Sequence, residues 1–410
     1  MSIFHGDNSA QKRRADLIEA ARQGFRDRFG PEPEAVGVAP GRVELLGNHT
    51  DYNEGFVLTA AIDRGIAVAG CVREVPAARV ASLDRPGTVT FDPERPASDP
   101  AALWANYVKG VVDQMGRIGA SVGGFDALIA SDIPIGAGVS SSAALLVGTA
   151  QFLLNVYPHP LAGDPLALAK LARRAENEFV GAPVGILDQF SSVFGRAGHA
   201  LFLDCRTMAW RAVSLPADRA RILIADSGVK HALAAGGGYA ERRAQCEAAA
   251  LWFAEKEPKK NIRTLRDVSP ELLETYATEL DPTLEKRARH IVYENLRVEM
   301  GAEALQTGNL ALFGEMMTNT HESCVRFFEN SCEEVDVLVE TAVAHEGVYG
   351  AKLSGGGWGG CAVVVHHPDV TDALCTALTT RYEARFGRAP SLLPTAAAQG
   401  AESFRFERQV

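Results

Sequence analysis

The amino-acid sequence predicts an α+β (mixed α/β) protein of two domains. In both halves, short apolar runs broken by Gly and Asp alternate with longer stretches at helical spacing, the signature of strands interleaved with helices. The chain has 410 residues, more than one ordinary core of roughly 100–200 residues accommodates. Its composition, 47% apolar and 22% charged, is that of a globular protein with a sizeable core. The expected division falls after residue 210, giving domains 1–210 and 211–410, although no Pro/Gly/Ser-rich linker marks it.

Residues 10–30 read as an amphipathic helix, with Leu17, Ala20, Ala21 and Phe25 at helical spacing and Gly30-Pro31 closing it. From Ala35 to Arg73 the pattern is strand-rich, and Phe56–Ile62 and Ile66–Val72 predict a hairpin turned at Asp63-Arg64-Gly65. Residues 74–100, rich in Pro and Asp, predict surface loops and a sheet edge, after which Trp104–Met115 resumes a helical pattern. Residues 142–157 are apolar all round and predict a buried helix. Asp164 then caps a second helix that has Pro165 in its first turn. Its stripe of Leu168, Leu171, Ala175 and Phe179 sets Glu176 beside the buried face. Ala220–Val229 opens the second half as a strand, followed by helices at 239–256, 283–307 and 332–345 and strands at 348–354 and 361–366. No internal repeat is visible.

Several function classes are excluded early. The net charge is -10 and the basic residues are scattered, so nothing marks a nucleic-acid or anionic-membrane surface. The seven cysteines are odd in number and lack a C-x-x-C pair, which argues against a disulfide framework or a zinc site and for buried thiols in the cytoplasm. Residues 1–17 carry Lys12, Arg13 and Arg14 but no apolar core of a secretory signal, and no run approaches the ~20 residues of a membrane span.

Three segments carry chemistry. Pro134-Ile135-Gly136-Ala137-Gly138-Val139-Ser140-Ser141-Ser142 leads into the buried helix, so flexible backbone N–H groups lie at the positive end of a helix dipole, a setting for a polyphosphate. No Walker A lysine is present, and Ser142 is the natural hydroxyl for Mg2+. Residues 41–55 crowd polar side chains, among them Asn48, His49 and Asp51, between apolar stretches, as a site for sugar hydroxyls requires. Gly181–Gln189 places Asp188 downstream of Glu176, and two such acids can divide the holding of Mg2+ from the handling of a hydroxyl proton. Taken alone, the glycine-serine turn and Asp188 read more readily as helix caps, and residues 41–55 equally well as a solvated turn; together the three reverse the balance. A further run, Gly355–Gly360 after Lys352, holds five glycines in six positions, more than a hairpin needs.

In order and spacing these segments resemble the signature motifs of the galactose/homoserine/mevalonate/phosphomevalonate kinase superfamily, and GRVELLGNHTDYNEGFVL resembles the galactokinase signature in particular. The resemblance extends through WANYVKGV, AENEFVGAPVGILDQ, SGVKHALAAGGGYAERRAQCE, THESCVRFFENSCEEVD and GVYGAKLSGGGWGGCAVVV, nearly the whole chain. It implies an N-terminal mixed α/β domain, a C-terminal ferredoxin-like domain and an active site between them, where Mg2+ and ATP phosphorylate the anomeric hydroxyl of galactose. It further implies that Asp188 is the catalytic base or orients the attacking hydroxyl, with Arg42 beside it offsetting phosphoryl charge. Asn48, His49, Asp51, Gly185 and Tyr239 are the implied sugar contacts, and Ser142 and Glu176 the Mg2+ pair. Gly136, Ala137, Gly138, Val139, Ser140 and Ser141, with Ser142, form the implied ATP phosphate cradle, and Trp104 neighbours the adenine. The chain departs from the family at Asn48, where galactokinases carry the Glu associated with the sugar's C6 hydroxyl, and more mildly at Thr59, Lys352 and Trp358. Asn48 therefore raises galacturonate, L-arabinose or N-acetylgalactosamine as alternative substrates. A non-catalytic sugar and ATP sensor is a further alternative, against which the intact Ser142, Glu176 and Asp188 argue.

Overall fold

The computed structural model describes residues 8–134, 138–182, 184–229 and 238–406. Helix α1 (Asn8–Phe29) lays Leu17, Ala21 and Phe25 onto a sheet face built of Val36, Val38, Ala67, Ala69 and Leu128. The next strands are β1 (Ala35–Leu46), β2 (Phe56–Val72), the edge hairpin β3 (Ala78–Ser82) and β4 (Arg85–Phe91), then β5 (Phe125–Ser131), β6 (His199–Asp204) and β7 (Trp210–Ser214). With the C-terminal strand β12 (Glu402–Arg405) they form one eight-stranded sheet of order β12-β1-β2-β5-β3-β4, from which β6 and β7 branch off β2.

The hairpin expected at Asp63-Arg64-Gly65 does not form; β2 runs straight through it. The strand pairs with β1 from Gly70 opposite Ala35 to Leu58 opposite Leu46, absorbing its curvature at bulges near Pro40 and Glu44. Its two ends serve different neighbours, Phe56–Thr59 pairing with β6 and Ile66–Val72 with β5. The Asp63 side chain, whose charge suggested a turn, is instead buried and satisfied by Arg13, by Arg64 at 2.6 Å and by Thr395 at 2.6 Å.

Between the strands lie α2 (Leu103–Arg117), α3 (Ser141–Val156), α4 (Pro165–Arg174) and α5 (Leu187–Phe194). Helix α3 is nearly all apolar because it is enclosed: Leu146, Val147, Ala150, Phe152 and Leu153 are buried in the principal core. Asp164 caps α4 through the Ala167 N–H at 2.9 Å. Beyond Arg174 the helix widens into a π-helical stretch, Ala175–Val180, which carries Glu176; such stretches often mark functional sites.

The second half comprises β8 (Arg221–Asp226), α6 (Gly238–Lys256), α7 (Pro270–Tyr276), α8 (Pro282–Gln306), α9 (Leu310–Ser323), α10 (Glu333–Val343), β9 (Val348–Ser354), β10 (Cys361–His366), α11 (Thr371–Phe386) and β11 (Ser391–Thr395). Its antiparallel sheet has the order β11-β8-β10-β9. That is the ferredoxin-like arrangement of split β-α-β units, packed through Leu223, Leu353 and Val364 against Leu338 and Leu378 of α10 and α11. The sheets do not divide the chain at residue 210: β7 crosses that point, and β12 returns to pair with β1, Arg405 opposite Ala35.

Candidate active site

Arg42 of β1 organises one wall of the cleft. Its backbone N–H donates to the Val139 carbonyl at 3.1 Å and its guanidinium to the Gly138 carbonyl at 3.0 Å, pinning the phosphate loop to the strand. Gly41 allows this approach, since a Cβ there would lie 2.5 Å from the Val139 oxygen. The same guanidinium donates to Asp188 Oδ1 at 2.7 Å. Burial alone would lower the Arg42 pKa, but the carboxylates of Asp188 and Glu44 outweigh it and raise it, so the charge is secure. Ser140, held in the left-handed region at φ 58°, donates to the other Asp188 oxygen. Its hydroxyl makes no cap bond to α3. The first N–H groups of the helix thus lack a side-chain cap.

Glu176 lies behind this wall, buried, with Gln189 donating to one oxygen at 2.6 Å and the Ser142 hydroxyl close enough to hydrogen-bond it. Burial pushes its carboxyl up to about 7, against those hydrogen bonds. Two hard oxygens, a hydroxyl and a carboxylate short of positive partners, fit a magnesium ion that draws its remaining ligands from water and phosphate. Among the described residues no group of three or more His, Cys, Asp or Glu could hold a metal by itself.

On the other side, Asp51 opens the short helix Asp51–Asn53 and rests on Gly185, where an added Cβ would lie 1.9 Å from its Oδ2. Burial, with Glu44 and Asp188 nearby, pushes the Asp51 carboxyl up to about 6. Tyr239, near the start of α6, feels both Asp51 and Asp188, and burial pushes its phenol well up. The His49 ring packs at a tilt between Tyr239 and Phe328, at centroid distances of 5.1 Å and 4.5 Å. Its Nε2 donates to the Gly356 carbonyl at 3.1 Å, and its Nδ1 accepts from Tyr52 at 2.8 Å. Burial pushes His49 down to about 3, leaving a neutral ring that anchors the loop to the glycine run. On the expectation that Asp51 holds the sugar, Gly185→Ala should displace it and raise the KM for that sugar roughly 10- to 100-fold, the worth of a charged hydrogen bond; an unchanged KM would overturn the expectation.

Asn48 does not open into the cleft. It is fully buried, donating to Gly355 O at 2.9 Å and Glu44 Oε1 at 3.2 Å and accepting from Asn330 at 3.1 Å and Cys324 at 3.4 Å. The sequence gives no hint of these partners, which lie far along the chain. Equally invisible is Glu294 of α8, which accepts the backbone N–H groups of Gly47 at 2.7 Å and Asn48 at 3.1 Å while Arg297 and Thr320 hold its other oxygen. Of the remaining candidates, Ser141 and Ser142 stand in the first turn of α3, and Trp104 in the first turn of α2, packed against the principal core. Gly136 and Ala137 lie outside the described residues.

Residues 23–72 match the galactokinase galactose-binding signature, 106–196 the GHMP kinases N terminal domain and 302–384 the GHMP kinases C terminal domain. The chain is 41% identical over 379 residues to a galactokinase of Roseiflexus sp. (strain RS-1), covering 92% of this chain and 95% of that one. It is likewise 41% identical over 380 residues to a galactokinase of Chloroflexus aurantiacus, with the same coverage. The crystal structure of Lactococcus lactis galactokinase complexed with galactose superposes with a TM-score of 0.88 at 33% identity, covering 94% of this chain and 99% of that one.

Proposed function

The chain belongs to the galactokinase family of the GHMP kinases, and from that premise we propose how its cleft moves the γ-phosphate of ATP to the anomeric hydroxyl of galactose. The observation that carries the reading is Asp188, held by Arg42 and by Ser140 just ahead of α3, and near enough to Asp51 for the two carboxylates to feel each other. Asp51 and Tyr239 hold the sugar, Asp51 accepting from ring hydroxyls, and His49 keeps the loop in register. Asp188 accepts the C1 hydroxyl proton as the oxygen closes on phosphorus, so the new P–O bond forms as the bond to ADP breaks. Arg42 fixes the direction of Asp188 and offsets charge on the transferring group. The N–H groups at the start of α3 cradle the phosphates, and Trp104 flanks the adenine. Ser142 and Glu176 would hold Mg2+, which when bound neutralises phosphate charge. No helix among the described residues is long and apolar enough to cross a membrane. The seven free cysteines support a reducing compartment, the cytoplasm.

ADP release that depends on galactose tests the reaction; ATP turnover indifferent to sugar would overturn it. The case for another sugar rested on Asn48, which the protein itself occupies. Asp51 also sets a pH dependence. Its folded value of about 6 lies above the ordinary 3.8, so the charged acceptor is lost as pH falls through 6. The kcat/KM for galactose should then decline about tenfold per pH unit below that point. Stability runs the other way: with the raised carboxyl, the sugar-free protein weakens as pH rises from 3.8 to about 6. Asp51→Asn should flatten both profiles, and a profile unmoved by it would assign the titration elsewhere.

A further inference from the structure

We propose that Glu44 reads a hydroxyl of the sugar, with Lys352 and Asn48 behind it as positioning residues. The inference rests on the galactose-kinase reading and deepens it.

Glu44 shares a face of β1 with Arg42, because the pairing Arg42 to Ala61, Val43 to Ala60 and Glu44 to Thr59 runs without a slip and side chains alternate along a strand. That face is the cleft wall: Arg42 meets Asp188 there, and the Thr59 hydroxyl, opposite Glu44, bonds Ser191 of α5 at 2.7 Å, one turn beyond Asp188. Lys352, fully buried, donates to Glu44 Oε1 at 2.7 Å, and Asn48 donates to the same oxygen at 3.2 Å. Among the described residues, both hydrogen bonds to the carboxylate fall on Oε1. The Glu44 side chain keeps 9% exposure while that of Lys352 keeps 0%. The free side of the carboxylate therefore looks away from the lysine. Its charge is felt by Arg42, Asp51 and Tyr239, the groups that surround the sugar. A carboxylate fixed on one oxygen offers the other as a pure acceptor: it welcomes a neutral hydroxyl and repels a sugar carboxylate.

The test is kcat/KM for galactose, each of its monodeoxy analogues and galacturonate, in the wild type and in Glu44→Gln. Lys352 and Asn48 would hold the carbonyl oxygen of the glutamine and turn its NH2 toward the sugar, replacing an acceptor by a donor. Galactose should lose roughly 10- to 100-fold. One monodeoxy analogue, already poor in the wild type, should lose little more, and galacturonate should gain relative to galactose. Because the single variant leaves Lys352 buried beside a neutral partner, Glu44→Gln/Lys352→Met removes both charges; it should keep the same analogue pattern with a melting temperature near the wild type's. A uniform loss across all analogues in both variants, or no loss, overturns the assignment while leaving the kinase reading intact. Failure of the wild type to phosphorylate galactose would instead overturn the kinase reading itself.

Discussion

Asp188→Asn should lower kcat roughly 10²- to 10⁴-fold, the contribution of a positioned general base, while the KM for galactose moves by less than about tenfold. The amide keeps the volume and one acceptor for Arg42, whose Nε–H donates to Oδ1 while a second guanidinium nitrogen lies 2.7 Å from the same oxygen. What it cannot do is take the hydroxyl proton or balance the guanidinium. Arg42 is buried and its charge is stabilised chiefly by this carboxylate, so the variant needs a melting curve beside its kinetics. With the fold intact, single-turnover rates report the chemical step; retention of more than about a tenth of wild-type turnover would move the proton-accepting role to another group.

Glu294→Leu should be the most damaging change outside the cleft. The glutamate is buried and, although burial alone would raise it, Arg297, Lys352 and the Gly47 N–H hold it down at about 2. Its removal orphans two backbone N–H groups at the head of the sugar loop and leaves Arg297 without its carboxylate. Breaking a buried pair in this way costs about 3–5 kcal/mol, read as a drop in urea midpoint at unchanged slope, and the KM for galactose should rise with it. The folded value lies below the ordinary 4.5, so this stabilisation is complete above 4.5 and fades as pH falls toward 2. A midpoint unchanged in the variant, or an acid limb identical to the wild type's, would show that the loop is held by other contacts.

Local signals were legible where a helix or strand answers to its own spacing. Leu17, Ala21 and Phe25 mark α1, Asp164-Pro165 opens α4, and the apolar stretch after Ser141 becomes α3. The ordered motifs also led to residues that meet in space: Arg42 with Asp188, and Asp51 with Gly185. Where a residue's role is set by distant partners, the local signal misled. Asp63 imitates a turn because acids usually seek solvent, yet Arg13 and Thr395 make its burial tolerable. Asn48 reads as a ligand contact because it belongs to a polar motif and stands where the family carries a Glu, yet its bonds go to Cys324, Asn330 and Gly355. The widening of the helix at Ala175 likewise has no periodic signal, since one π turn is too short to shift the spacing of its neighbours.

The pairing of β12 with β1 binds the last strand among the described residues to the first. On the ribosome, Ala35–Val38 emerge early, but their outer backbone groups find partners only when Glu402–Arg405 have been made. Until those residues are made the nascent sheet therefore carries a bare edge, of the kind that recruits strands from other chains. A fragment ending near residue 210 would keep that edge for good, so it should clump when expressed alone, and adding a synthetic peptide of the final strand should be the remedy.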